Sequence, residues 1–165
     1  MNPPAAAAER DEPAANPKPY IHATALAIGE AGVLIRGPAG TGKSRLALEL
    51  IAEASRRGFF AHLVGDDRVA IEARGGRLIA RGHPAIAGQI ERRGEGIIAL
   101  PYESAVVIRL VVDLGGKAAA PLLRLPRPDA QISLRGICVP QLCLDSPSPE
   151  LAGMVIDHLL RMGNG

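Results

Sequence analysis

The amino-acid sequence predicts an α/β domain, on three observations. Short runs of Val, Ile and Ala bounded by glycine turns read as strands. Two longer stretches carry apolar residues at helical spacing. A glycine-rich octet ending in Lys43-Ser44 stands between a strand and a helix. The 165 residues suit one domain with a single core. Hydrophobic residues at 47% and charged residues at 22% are ordinary for a soluble globular chain.

The elements follow in order. Residues 1–19, rich in Ala and Pro with mixed charge, bury too little surface to offset their ordering entropy and are expected to form a disordered tail; residues 20–165 are the folded domain. Ile21–Ile28 reads as a strand, Gly29–Gly32 as a turn and the following Val-Leu-Ile run as a buried strand. From Ser44 to Arg57, Leu46, Ala47, Leu50, Ile51 and Ala54 recur at helical spacing, and Gly58 closes that helix. Phe59–Val64 is the next strand. Arg68–Glu72 and Arg77–Ala80 make a hairpin around Gly75-Gly76. A short helix is expected over His83–Ile90, a strong strand over Ala105–Leu114, a Pro-rich loop over Lys117–Asp129 and one or two strands over Ile132–Leu144. An amphipathic helix over Glu150–Met162 ends the chain.

Composition excludes several function classes. The net charge is +2 and aromatic residues are 2%, so there is neither the basic field nor the stacking platform expected of a nucleic-acid binder. No apolar run reaches the roughly 18 residues of a membrane span, and the N-terminus lacks the pattern of a secretory signal; a cytoplasmic protein is expected. Cys138 and Cys143 are expected to be small buried hydrophobes in a reducing compartment.

The octet Gly37-Pro38-Ala39-Gly40-Thr41-Gly42-Lys43-Ser44 fits the phosphate-binding pattern G-x-x-x-x-G-K-[ST] in full. Glycines let the backbone wrap closely and turn its N–H groups inward, and the helix N-terminus adds to this anion nest. Lys43 would reach the terminal phosphates of ATP, and the Ser44 hydroxyl would ligate Mg²⁺. Such a site also needs carboxylates. Asp66 and Asp67 follow a strand at the end where ligands of α/β sheets bind. Side chains alternate along a strand, so one Asp should aim at the phosphates and the other elsewhere. Glu91-Arg92-Arg93-Gly94-Glu95 is a second charged cluster: Glu91 offers an oxygen ligand to the metal and Arg93 a charge to stabilise the transferred phosphoryl group.

Taken in order, IHATALAIGEAGVLIRGPAGTGKSRLALELI, LVGDDRV and IERRGEGII resemble the catalytic domain of the HPr kinase/phosphorylase family. The resemblance spans about His22 to Ile98 and continues more weakly to Leu144. It implies the P-loop kinase fold shared with phosphoenolpyruvate carboxykinases, a central mixed β-sheet with flanking helices. It also implies a serine kinase acting on HPr, the phosphocarrier protein of the sugar phosphotransferase system, with ATP and Mg²⁺. Family members also phosphorolyse the phosphoserine with inorganic phosphate, releasing pyrophosphate, and typically form homo-oligomers, as hexamers. Carried over residue by residue, His22 matches the active-site His, and Lys43 and Ser44 the phosphate and metal ligands. Asp66-Asp67 match the pair supplying the proton acceptor, Glu91 the second metal ligand and Arg93 the signature Arg. Arg124, with Arg127 as its rival, resembles the Arg of a loop closing over the phosphates.

There are departures. Arg92 and Glu95 replace two apolar residues of the signature. The segment from Lys43 to Asp66 is longer than the family norm, and residues 1–19 are expected to stand in place of the separate N-terminal domain of many members. The basic glycine turn that the family associates with phosphorolysis is absent after VPQLCLD, which favours the kinase direction. Two alternatives stay open: a P-loop kinase for a small molecule, and a non-catalytic ATP-binding regulator.

Overall fold

The computed structural model describes residues 19–115 and 130–163. The tail and the Pro-rich loop, with Arg124 and Arg127, lie outside the described residues. The strands are β1 (Tyr20–Ile21), β2 (Ala23–Ile28), β3 (Ala31–Arg36), β4 (Ala61–Gly65), β5 (Val69–Arg74), β6 (Arg77–Gly82), β7 (Gln89–Arg92), β8 (Gly96–Ala99), β9 (Ala105–Leu114), β10 (Gln131–Leu134) and β11 (Ile137–Leu144). The helices are α1 (Lys43–Arg56) and α2 (Pro149–Gly163).

Nine strands form one mixed sheet, and β7 and β8 make a separate hairpin. β9 is the shared member. Its residues 105–107 pair antiparallel with β6, 108–113 run parallel to β3, and 111–114 run parallel to β11. β2 lies antiparallel between β3 and β4. Because β9 serves three neighbours, the sheet curls and its two faces bury different cores.

On one face, Leu26, Val33, Ile35, Leu110, Val112, Leu142 and Leu144 pack under both helices, against Leu46, Leu50, Val155 and Ile156. The other face holds Ala23, Ala25, Leu34, Val111 and Val139 with Val69, Leu78 and Ala80 of the β5–β6 hairpin. Alternation along β2 and β3 sends successive side chains to opposite cores. The small alanines of β2 leave room for the hairpin to fold over. Arg57, just past α1, ties the helices together, donating to Glu53 and to Asp157 of α2 at 2.6 Å each. Ser148 starts α2, its hydroxyl accepting from Leu151 N at 3.2 Å.

Three expectations change. The helix over His83–Ile90 is only a single 3₁₀ turn, Pro84–Ile86, and Gln89 and Ile90 belong to β7. Gly88 is the reason. Its φ is 71°, and a side chain there would sit 2.8 Å from the Leu100 carbonyl, so the chain reverses and pairs with β8. The strand expected over Ile21–Ile28 breaks at His22, so that β1 pairs with β5 and β2 with β3 and β4. Cys138 and Cys143 are exposed rather than buried, because Val139, Leu142 and Leu144 take the inward positions of β11. No described helix is long and apolar enough to cross a membrane.

Candidate active site

The phosphate loop is built by the junction of β3 and α1. β3 ends at Arg36, the loop turns through Gly37–Gly42, and α1 begins at Lys43. Thr41 braces the turn, its hydroxyl donating to the Pro38 carbonyl at 2.8 Å. Lys43 is buried, and its Nζ donates to the carbonyls of Gly37 at 2.9 Å and Pro38 at 3.1 Å. The ammonium therefore lies within the loop it serves. Gly42, the N-cap of α1, has φ 95° and contributes no side-chain cap, so the first-turn N–H groups have no side-chain acceptor. Those free donors and the helix dipole make an anion cradle. A Cβ on Gly42 would fall 2.6 Å from Pro147 Cγ, and one on Gly37 would strike the Leu114 carbonyl. The glycines are thus required by close neighbours as well as by backbone angles.

Behind the cradle, Asp66 is buried at the end of β4 and accepts from the Ser44 hydroxyl at 2.9 and 3.0 Å. Thr24 of β2, also buried, donates to Asp66 Oδ1 at 2.7 Å. Asp67 turns the other way. Its φ is 62°, and its carboxylate is exposed and lies 3.3 Å from His22 Nε2. The break between β1 and β2 makes this contact. Ile21 pairs with Val69, which brings His22 beside the turn that carries Asp67. The two adjacent acids therefore serve different neighbours, Asp66 the loop serine and Asp67 the histidine.

Glu91 and Arg93 stand apart from this cluster. Both are exposed on the β7–β8 hairpin, whose Ile90 is anchored in the core beneath the helices. Among the described residues neither side chain makes a hydrogen bond, while Arg92 pairs with Glu95 at 3.3 Å. The structure thus brings Lys43, Ser44 and Asp66 together at the loop, pairs His22 with Asp67 next in sequence to Asp66, and joins neither Glu91 nor Arg93 to any of them. Arg124 lies outside the described residues.

Four residues at the site carry no motif. Thr24 is one. The others are Arg36 at the end of β3, Asp113 near the end of β9 and Gln141 within β11. Arg36 donates twice to Asp113 at 2.8 Å, and Gln141 Nε2 donates to the same carboxylate at 2.5 Å. Cys143 sits beside them: desolvation, then the charge of Asp113, pushes its thiol pKa up, and Arg36 opposes this.

Ser44 and Asp66 are hard oxygen donors adjoining an anion cradle. That suits Mg²⁺, which takes few protein ligands and completes its shell with water and phosphate.

Residues 14–145 match the family described as HPr Serine kinase C-terminal domain. The HPr kinase/phosphorylase of Mycoplasma mycoides subsp. mycoides SC is 40% identical over 83 residues, which are 50% of this chain and 24% of the relative. That of Clostridium beijerinckii is 40% identical over 82 residues, 50% of this chain and 25% of the relative. The match thus spans about a quarter of the length of these relatives. The solved structure of the Hpr(Ser) kinase/phosphatase from Coxiella burnetii superposes with a TM-score of 0.69 at 31% identity, covering 88% of this chain and 99% of that one.

Proposed function

This chain belongs to the HPr serine kinase C-terminal domain family, and from that premise we propose that it is an ATP- and Mg²⁺-dependent kinase for a serine hydroxyl of the phosphocarrier protein HPr. The observation that carries the proposal is the hydrogen-bonded pair Ser44–Asp66 directly behind the phosphate loop. A loop that only bound anions would need no buried carboxylate there.

The loop N–H groups and Lys43 hold the phosphates. Ser44, backed by Asp66, would hold Mg²⁺, with Glu91 proposed as a further ligand although among the described residues it makes no hydrogen bond with the loop, and the ion would supply positive charge at the phosphate oxygens. An acid of the Asp66–Asp67 pair takes the proton from the substrate serine, and His22 orients Asp67. The serine oxygen bonds to the γ-phosphorus as the bond to the bridging oxygen breaks and ADP leaves. Arg93 and Arg124 add positive charge to the transferred group. Catalysis is positioning plus electrostatics, as is usual for phosphoryl transfer.

The kinase direction is favoured over phosphorolysis. Between β11 and α2 the chain reads Asp145-Ser146-Pro147-Ser148, with no basic residue and with Pro147 against Gly42. The test is transfer of label from γ-labelled ATP to purified HPr with Mg²⁺, with a serine-to-alanine HPr as control. Label on wild-type HPr alone supports the proposal. No label, with ATP binding intact, overturns it in favour of another acceptor or a non-catalytic regulator.

A further inference from the structure

Four polar or charged residues are buried among the described residues, and three of them, Thr24, Lys43 and Asp66, meet at the phosphate loop. Lys43 and Asp66 belong to the machinery already described. Thr24 does not, and its burial needs a reason. It lies on β2 opposite Ile35 and faces the same side as Leu26 and Ile28, under α1. Val would have the same shape and a better strand preference. A buried hydroxyl is costly unless it is hydrogen-bonded. Among the described residues its side-chain hydroxyl is bonded to one group, Asp66 Oδ1 at 2.7 Å.

The geometry around that carboxylate gives the reason. Ser44 Oγ lies 2.9 Å from Oδ1 and 3.0 Å from Oδ2, but a hydroxyl has one proton to give. The Thr24 hydroxyl pins Oδ1, and with it the plane of the carboxylate, so the Ser44 proton meets acceptors held in fixed positions. Its direction fixes where the two lone pairs of Ser44 point. We infer that Thr24 is a positioning residue: it holds Asp66, and Asp66 orients the Ser44 hydroxyl as a metal ligand.

This rests on the ATP–Mg²⁺ reading of the loop, and the experiment separates the two. ATP binding to the purified chain is measured by titration calorimetry with excess Mg²⁺ and again with EDTA; the ratio of the two dissociation constants reports how much the metal tightens ATP. Groups that orient a metal ligand typically change metal affinity by about 10- to 100-fold. Thr24→Val is therefore expected to cut that ratio about tenfold or more and leave affinity in EDTA unchanged. Thr24→Ser, which keeps the hydroxyl, is expected to retain it. Circular dichroism verifies folding, and Thr24→Ala takes the place of Thr24→Val should that variant not fold. The inference is overturned by a hydroxyl-free variant that keeps the ratio. Equal loss of affinity with and without metal, the mark of a packing role, also overturns it, as does a Thr24→Ser variant as impaired as Thr24→Val. A wild-type chain that binds no ATP under either condition overturns the nucleotide reading itself.

Discussion

Arg36 and Asp113 face each other across the parallel β3–β9 pair, and the guanidinium gives the carboxylate two hydrogen bonds of 2.8 Å. Arg36 is the residue before the phosphate loop, so this fork fixes the point where the loop leaves the sheet. Both side chains are partly shielded, at 26% and 20% exposure, where a two-point ion pair keeps more of its strength than on an open surface. Asp113→Ala is expected to cost about 2 kcal/mol in chemical denaturation. Combining it with Arg36→Ala should add little, because the two act as one unit. Fully additive losses would show that the pair is not coupled.

Lys43→Ala removes the ammonium that bonds to the Gly37 and Pro38 carbonyls. Turnover should fall at least about a hundredfold. The fold should survive, since the lost bonds lie within one loop, and thermal unfolding would check this. An active Lys43→Ala protein would be incompatible with the site.

Asp66 and Asp67 are separable by stability as well as by rate. Asp66→Asn turns a buried acceptor into a group with an extra donor facing two hydroxyls, so a loss of about 1–3 kcal/mol is expected with the loss of activity. Asp67 is exposed and among the described residues pairs only with His22, so Asp67→Asn should leave stability within about 0.5 kcal/mol. An Asp67→Asn variant that binds ATP but transfers nothing to HPr marks Asp67 as the proton acceptor, and an active one leaves that role to Asp66.

His158 is buried on α2, and burial first, then Arg161, lower its pKa below the ordinary 6.5. A lowered pKa means that the native state resists a proton that the unfolded chain accepts. Stability from this source is present above about pH 6.5 and is lost as pH falls through it, by at most about 1.4 kcal/mol per pH unit. His158→Leu should flatten that acid slope in thermal unfolding between about pH 7.5 and 5.5. An unchanged slope would assign the acid sensitivity elsewhere.

The local parts of the site were legible in the sequence. The glycine octet carries its own backbone chemistry, and the hairpin around Gly75-Gly76 and the final helix follow from turn residues and periodicity. The contacts that depend on register were not. Arg36 meets Asp113 only because β3 and β9 align Arg36 with Asp113, and Thr24 meets Asp66 only because β2 lies beside β4. No local pattern states either alignment. Ile86 and Ile90, four apart, imitate a helical stripe, but a left-handed Gly88 between them turns the chain into a strand.

The loop is synthesised early and walled late. Gly37 abuts Leu114, Thr41 closes on Gly115, and Gly42 has Pro147 where a side chain would go. A nascent chain that has released only the residues up to the end of α1 therefore carries the whole glycine octet without the surfaces that shape it. Nucleotide capture on the growing chain should begin only once Pro147 has emerged, which makes ATP a late reporter of assembly rather than an early scaffold for it.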